Sequence, residues 1–117
     1  GFSIYPEALG GYSQTAGMTI RFDSSKAKGS RIVEVKIAGV ALDPAKTYKV
    51  ATNDFMAVGG DNYTMLTNGP TLGEYPALDE VLIEYIQGKG FGAAVEDDRV
   101  TDVAPATTSD IELAPAA

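Results

Sequence analysis

The sequence has 117 residues, 44% of them hydrophobic, a length that suits one small domain able to bury about 65% of its unfolded surface. Its formal net charge is -7 and it contains no lysine or arginine cluster, which argues against a nucleic-acid polymer or an anionic membrane as partner. Cysteine is absent, which excludes disulfides and thiolate chemistry, and no stretch approaches the length of a membrane span.

The two ends of the sequence predict an excised piece of a longer protein. Gly1 is not an initiator methionine, and the apolar opening Gly1-Phe2-Ser3-Ile4 is neither a signal peptide nor a polar leader. Residues 104–117 are small, aperiodic and contain proline, which is typical of a linker or disordered tail. We therefore expect an N-terminally truncated domain over residues 1–103, followed by that tail.

Alternation of apolar and polar residues predicts the strands. Residues 17–23 and 31–38 place apolar side chains at every second position, and the polar run between them favours an antiparallel hairpin. Residues 39–44 predict a turn, because Pro44 has a fixed φ and no backbone donor. A further strand is expected over Tyr48–Asn53, where the alternation resumes.

A helix is predicted over residues 76–87. Its apolar residues recur at intervals of three and four on one face: Leu78, Val81, Leu82, Tyr85 and Ile86. Pro76 suits a first helical position, and Gly88 or Gly90 suits the C-terminal end. The expected fold class is α+β, with a mixed or antiparallel sheet of about three or four strands packed with one main helix.

The segment after the Tyr48–Asn53 strand combines residue types that suit ligand binding. Phe55, the Gly59-Gly60 pair and Asp61 lie within seven residues. An aromatic face, a bare backbone and a carboxylate could hold a flat ring at one end and paired hydroxyls at the other. In the structural alternative, Phe55 is a core residue, the glycines form a turn with positive φ, and Asp61 caps a helix over residues 62–66.

The residues offer little for catalysis. Histidine is absent, so the commonest general base and metal ligand is lacking, and no histidine can activate the serines. No Gly-x-Ser-x-Gly motif, P-loop or dinucleotide fingerprint occurs. The acidic run 96–98 lacks the ligand spacing of a calcium loop and predicts a solvated turn. We therefore expect no hydrolysis by this chain alone.

The run Asn-Asp-Phe-Met-Ala-Val-Gly-Gly-Asp-Asn-Tyr at residues 53–63 resembles the signature of the C-terminal domain of the 5'-nucleotidase family, which also contains UDP-sugar hydrolases. Residues 10–17 resemble the family's Gly-Phe-x-Gln-x-x-Gly approach to its first strand. The similarity continues through residues 31–35 and 42–44, in the right order, and covers about the first ninety residues.

The resemblance implies a substrate-binding role. It places Phe55 against the base of a nucleotide or nucleoside and Asp61 on the ribose hydroxyls, with Gly59 and Gly60 allowing the sugar to lie close. Asn53 belongs to the same set of candidate substrate-binding residues. Catalysis is implied to reside in an N-terminal metallophosphoesterase domain of the same protein, which holds a pair of divalent metal ions, so that no cofactor is expected in this chain.

The resemblance also implies an extracellular, cell-surface or periplasmic location in a bacterium. Three alternatives stay open: a 2',3'-cyclic phosphodiesterase or 3'-nucleotidase, a UDP-sugar hydrolase, and a non-enzymatic surface module. Because the family domain has a further strand and helical segment before the position of Gly1, apolar surface around Phe2, Ile4 and the sheet is expected to be uncovered. That surface predicts a homodimer or a separately bound N-terminal chain.

Overall fold

The computed structural model of the protein describes residues 2–7, 10–90, 92 and 96–106. It separates into two compact units, one of Gly1–Lys46 with Asp97–Ala117 and one of Thr47–Glu96. The first unit contains the sheet, and the second contains the helices. The domain boundary at residue 103 stays a prediction, and most of the predicted tail lies outside the described residues.

The first unit is built on a mixed four-stranded sheet in the order β3-β2-β1-β4. The strands are β1 (Met18–Phe22), β2 (Ile32–Ile37), β3 (Val40–Ala41) and β4 (Val100–Asp102). β1 pairs antiparallel with β2 and parallel with β4, and β2 pairs antiparallel with β3. The predicted hairpin of β1 and β2 is confirmed, as is the α+β class with a mixed sheet and one main helix.

The hairpin register contains one irregularity. Ile20 lies opposite Val35, but Phe22 lies opposite Ile32 because the register shifts between Arg21 and Phe22. The extra residue on β2 is Val33, which is 49% exposed. A bulge of this kind increases local twist, and it breaks the simple alternation that the sequence predicts for β2.

The turn predicted at residues 39–44 is wrong in its first half. Ala38 and Gly39 both have positive φ, 49° and 81°, and form the tight connection between β2 and β3. Positive φ at both central residues is the condition for a type I′ hairpin, whose twist matches the flanking strands. Val40–Ala41 therefore pairs with β2 as a short edge strand.

The strand predicted over Tyr48–Asn53 is also wrong. Its residues, all described, have no strand assignment, and Val50 is 70% exposed. The turn before it is stabilised by Asp43, whose Oδ1 accepts from the Ala45 N–H at 2.9 Å and whose carbonyl accepts from Lys46 at 3.1 Å. An alternating segment becomes a strand only where a neighbouring backbone is available to complete its hydrogen bonds, and alternation alone cannot report that neighbour.

The core of the sheet-containing unit is aromatic. Phe22 is fully buried, and its ring stacks on Phe2 with the centroids 4.7 Å apart. Tyr5 and Tyr12 approach the Phe22 ring edge-on at 5.2 and 6.4 Å. Phe2 is only 9% exposed, so the prediction of uncovered apolar surface is wrong for Phe2, whereas Ile32, Val33 and Val40 of the sheet are 51%, 49% and 70% exposed. The homodimer stays a prediction, but an uncovered Phe2 no longer supports it.

Arg31 holds the N-terminal segment over this core. Its Nη1 donates to the carbonyl oxygens of Phe2 at 2.8 Å and Tyr5 at 2.7 Å. A guanidinium satisfies two carbonyls at once because its donors are fixed in one plane. These bonds keep the aromatic rings of the segment beside Phe22.

Asp102 joins the end of β4 to the end of β1. Its Oδ1 accepts hydrogen bonds from the backbone N–H groups of Ser24 and Ala104, each at 3.0 Å. Desolvation alone would raise the pKa of Asp102, but the hydrogen bonds from Ser24 and Ala104 and the charge of Arg31 outweigh it and hold the pKa below its ordinary value.

We expect Asp102→Asn to flatten the acid dependence of stability. Because the folded-state pKa lies below the unfolded value of about 3.9, the contribution of Asp102 is present above that value and is lost as pH falls through the folded pKa. Urea unfolding between about pH 2 and 6 measures this. Glu74→Gln, an exposed carboxylate in the other unit, is the control. Identical pH profiles for Asp102→Asn and the wild type would contradict the assignment.

The second unit contains α1 (Asp54–Ala57), two short 3₁₀ turns (Gly60–Asn62 and Thr64–Asn68) and α2 (Leu78–Lys89). The predicted main helix is confirmed as α2, beginning at Leu78 instead of Pro76 and followed by Gly90 with a φ of 72°. Its acidic residues lie in the first turn and its lysine in the last, which suits the helix dipole. No residue of α2, all of which is described, is buried.

Candidate functional site

The candidate site begins with an N-cap that the sequence analysis missed. Asn53 has extended backbone angles, and its side-chain oxygen accepts from the Met56 N–H at 2.8 Å. Asp54 follows in the first turn, and its Oδ1 accepts from the Phe55 N–H at 2.9 Å. Asn followed by Asp is a typical helix start, so this signal was present in the sequence. The cap fixes the backbone from which Phe55 projects.

Phe55 is an exposed aromatic residue on α1. It is 57% accessible, and no residue of this four-residue helix is buried. The structural alternative, in which Phe55 is a core residue, is therefore wrong. An exposed ring supported by a capped helical turn can stack on a planar ligand.

The loop after α1 turns sharply through left-handed backbone. Gly59 has a φ of 95°, and Asp61 and Asn62 follow with φ values of 52° and 63°. Asp and Asn are the non-glycine residues that best tolerate this region, and such strain is concentrated at functional sites. The alternative in which Asp61 caps the following helix is wrong, because Asp61 lies inside the Gly60–Asn62 turn and the next segment has no side-chain cap.

The Asp61 carboxylate is available to a ligand. Asp61 is exposed, and within the described part of the chain no group donates a hydrogen bond or an ion pair to its side chain. An ionised carboxylate only accepts hydrogen bonds, and its two oxygens can accept from two neighbouring hydroxyls.

Gly60 brings the loop backbone against Phe55, one residue before Asp61. A Cβ at position 60 would lie 2.5 Å from the Phe55 carbonyl oxygen and 2.6 Å from its ring atoms Cδ1 and Cε1. The backbone at Gly60 is thus in direct contact with Phe55, and Asp61 is the next residue. α1 also contacts both 3₁₀ turns, so the predicted residues Asn53, Phe55, Gly59, Gly60 and Asp61 all lie in one compact segment.

A surface depression of about 190 Å³ lies in the sheet-containing unit. Its charged groups are engaged with each other: Arg99 Nε donates to Asp97 Oδ1 at 2.6 Å, and Arg99 Nη1 donates to the Thr15 carbonyl at 2.7 Å. The side-chain hydrogen bond from Arg99 lowers the pKa of Asp97. The acidic turn predicted at residues 96–98 therefore contains a surface ion pair, which contributes little stability.

The described residues also bear on metal and membrane binding. Within ranges 2–7, 10–90, 92 and 96–106, no three His, Cys, Asp or Glu side chains are grouped so that they could hold a metal ion. Over the same ranges, no helix has the length and apolar character needed to cross a membrane.

Comparison with known proteins identifies relatives of the whole region that contains the site. Residues 3–68 match the family described as "5'-nucleotidase, C-terminal domain". The chain is 43% identical over 79 residues to Protein UshA of Escherichia coli, which covers 67% of this chain and 14% of that protein. It is 37% identical over 92 residues to the trifunctional nucleotide phosphoesterase protein YfkN of Bacillus subtilis, covering 70% of this chain and 6% of that protein.

A third relative comes from an animal. Snake venom 5'-nucleotidase of Crotalus adamanteus is 30% identical over 93 residues, which covers 72% of this chain and 16% of the venom protein. The chain therefore spans between 6% and 16% of the length of these three relatives. The family match includes every residue from the Asn53 cap to Asp61 and extends over more than half of the sequence. This chain belongs to the 5'-nucleotidase C-terminal domain family.

Proposed function

We propose that this chain is the nucleoside-recognition part of a 5'-nucleotidase-type hydrolase. Phe55 stacks on the base, and Asp61 accepts hydrogen bonds from the ribose hydroxyls. Gly59 and Gly60, which lie between Phe55 and Asp61 in the sequence, let the sugar approach the backbone. Asn53 caps the helix from which Phe55 projects. The observation that carries the proposal is an exposed aromatic ring on α1 followed, in a loop with left-handed backbone, by an exposed carboxylate to which no described group donates a hydrogen bond.

The hydrolysis itself is assigned to another part of the same protein. Histidine is absent from all 117 residues, and the described residues contain no metal-ligand group. We place the pair of divalent metal ions in an N-terminal metallophosphoesterase domain, where they would activate water and stabilise charge on the phosphate. This chain contributes binding energy that orients the nucleotide for that reaction.

The proposal extends to the location of the protein. One relative carries the words "snake venom" in its name, which fits a protein that acts outside cells. We place this chain in an exported bacterial hydrolase, at the cell surface, in the periplasm or in the medium. Detection of the gene product in the cytoplasm alone would contradict this placement.

A broader nucleotide phosphoesterase is a second candidate. It is supported by the 37% identity to a protein named as a trifunctional nucleotide phosphoesterase. Rates on a nucleoside 5'-monophosphate, a 3'-monophosphate, a 2',3'-cyclic monophosphate and a UDP-sugar separate the candidates. Equal rates on the first three would favour this second candidate, whereas no activity on any substrate would favour a non-enzymatic surface module.

Phe55→Ala in the intact enzyme tests the proposed binding site. Loss of a base-stacking contact worth roughly 1–3 kcal/mol should weaken binding of adenosine monophosphate by roughly 5- to 150-fold. The change should appear mainly in KM. Val58→Ala is a matched control, because Val58 lies just after α1 and is 79% exposed. Wild-type kinetics in a folded Phe55→Ala enzyme would show that the ring does not contact the substrate.

The isolated chain is expected to release no phosphate from nucleotides. The reason is the absence of histidine and of a described metal-ligand group. A phosphate-release assay on the pure chain with Mg²⁺, Mn²⁺ or Zn²⁺ measures this. Metal-dependent release that persists in a preparation free of host phosphatases would contradict the division of labour proposed above.

A further inference from the structure

Atoms of Phe55 occupy the space that a side chain at Gly60 would need. An added Cβ would lie 2.5 Å from the Phe55 carbonyl oxygen and 2.6 Å from both Cδ1 and Cε1 of its ring. Separations below about 3 Å are far inside the contact distance of carbon atoms. Because one of these atoms belongs to the backbone, rotation of the ring alone could not relieve the contact.

The two adjacent glycines are required for different reasons. Gly59 has a φ of 95°, which disfavours any side chain, yet the nearest atom to its own Cβ position would be the Thr64 Cα at 3.5 Å. Gly60 has no positive φ, so alanine could adopt its backbone conformation, and the restriction there is purely steric. Gly59 therefore sets the direction of the chain, and Gly60 sets the distance to Phe55.

This contact matters because the Phe55 side chain is largely exposed. The residue is 57% exposed, and no residue of α1 is buried. An exposed side chain normally samples several rotamers, and fixing one costs entropy on binding. Contact with the Gly60 backbone along one edge restricts the ring while leaving more than half of the residue accessible.

We propose that Gly60 is a positioning residue that holds the Phe55 ring ready to stack on a planar ligand. The inference rests on the proposed function, because Phe55 is taken as the stacking residue. It goes beyond that function because Gly60 would orient the Phe55 ring, in addition to letting the sugar lie close to the backbone. Gly60 therefore acts on base recognition through Phe55.

The contact itself is tested by NMR on the chain without ligand. Ring currents from Phe55 should displace the Gly60 α-proton resonances from their ordinary range, and Phe55→Leu should return them to it. Gly69 is the internal control, since nothing lies within 4 Å of its Cβ position. Gly60 resonances that do not respond to Phe55→Leu would overturn the proposal. This measurement requires no variant at position 60 to fold.

The effect on binding is tested by a double-mutant cycle in the intact enzyme. Gly60→Ala should raise KM for adenosine monophosphate roughly tenfold, and should add nothing in the Phe55→Leu background, because the residue acts through the ring. Gly69→Ala should leave KM unchanged, since that position is open and its φ is -105°. Independent, additive effects of Gly60→Ala and Phe55→Leu would overturn the positioning role. No effect of Phe55→Leu alone would instead overturn the proposed function.

Discussion

Phe22→Ala should lower the free energy of unfolding by about 3–5 kcal/mol, the usual cost of removing a fully buried phenylalanine ring. Phe22 has no exposed surface and contacts three other aromatic rings, those of Phe2, Tyr5 and Tyr12. Truncation leaves a cavity that β1 cannot close, because β1 is fixed between β2 and β4. Stabilities of small domains are about 5–15 kcal/mol, so this change removes a large share of the total.

Urea unfolding followed by circular dichroism measures the effect. Ile32→Ala is a suitable control, because Ile32 is the cross-strand partner of Phe22 but is 51% exposed. We expect its cost to be well below that of Phe22→Ala, in proportion to the smaller apolar area that it buries. Equal costs for the two variants would show that the aromatic cluster is not the main core of the sheet.

Asp61→Ala should produce the largest loss of substrate binding. A carboxylate that accepts from both ribose hydroxyls makes two charge-assisted hydrogen bonds, each worth about 1.5–3 kcal/mol. We therefore expect KM for a ribonucleotide to rise at least a hundredfold when both bonds are lost, since about 1.4 kcal/mol corresponds to a factor of ten. No described donor depends on the Asp61 side chain, but its φ of 52° suits alanine less well than aspartate, so a moderate loss of stability should accompany the loss of binding.

A 2'-deoxynucleotide sharpens this test. It lacks one of the two hydroxyls, so the penalty of Asp61→Ala should be smaller with the deoxy substrate than with the ribonucleotide. Glu74→Ala is the matched control, because Glu74 is an exposed carboxylate in the same unit that lies outside the proposed site. A penalty of the same size for both substrates would show that Asp61 does not contact the 2'-hydroxyl.

The elements that the sequence predicts correctly have strong internal periodicity. β1, β2 and α2 each repeat apolar residues over several positions, and their observed ends lie within two residues of the predicted ranges. Periodicity does not predict a strand correctly where the strand depends on a neighbouring strand to pair with. β3 and β4 are short strands that exist because β2 and β1 offer open edges, and the alternating Tyr48–Asn53 segment has no ladder to join.

Some features of the candidate site could likewise be predicted from the sequence, and others could not. Its residue types and their order could be taken from the sequence, because Phe55, the glycines and Asp61 are close along the chain. The Asn53 cap carried a local signal that was missed. The contact of Gly60 with Phe55 could not be predicted, since it depends on a left-handed turn at Gly59 that folds the backbone back onto the ring.

Photoaffinity labelling of the intact protein with 8-azidoadenosine monophosphate tests the central claim most directly. Trypsin cleaves after Lys49 and Lys89, so all five proposed site residues fall in one peptide, residues 50–89. We predict that label enters this peptide, that unlabelled adenosine monophosphate competes with it, and that Phe55→Leu reduces it. Competable label that lies only in peptides of the sheet-containing unit, or that Phe55→Leu leaves unchanged, would contradict nucleoside recognition by this segment.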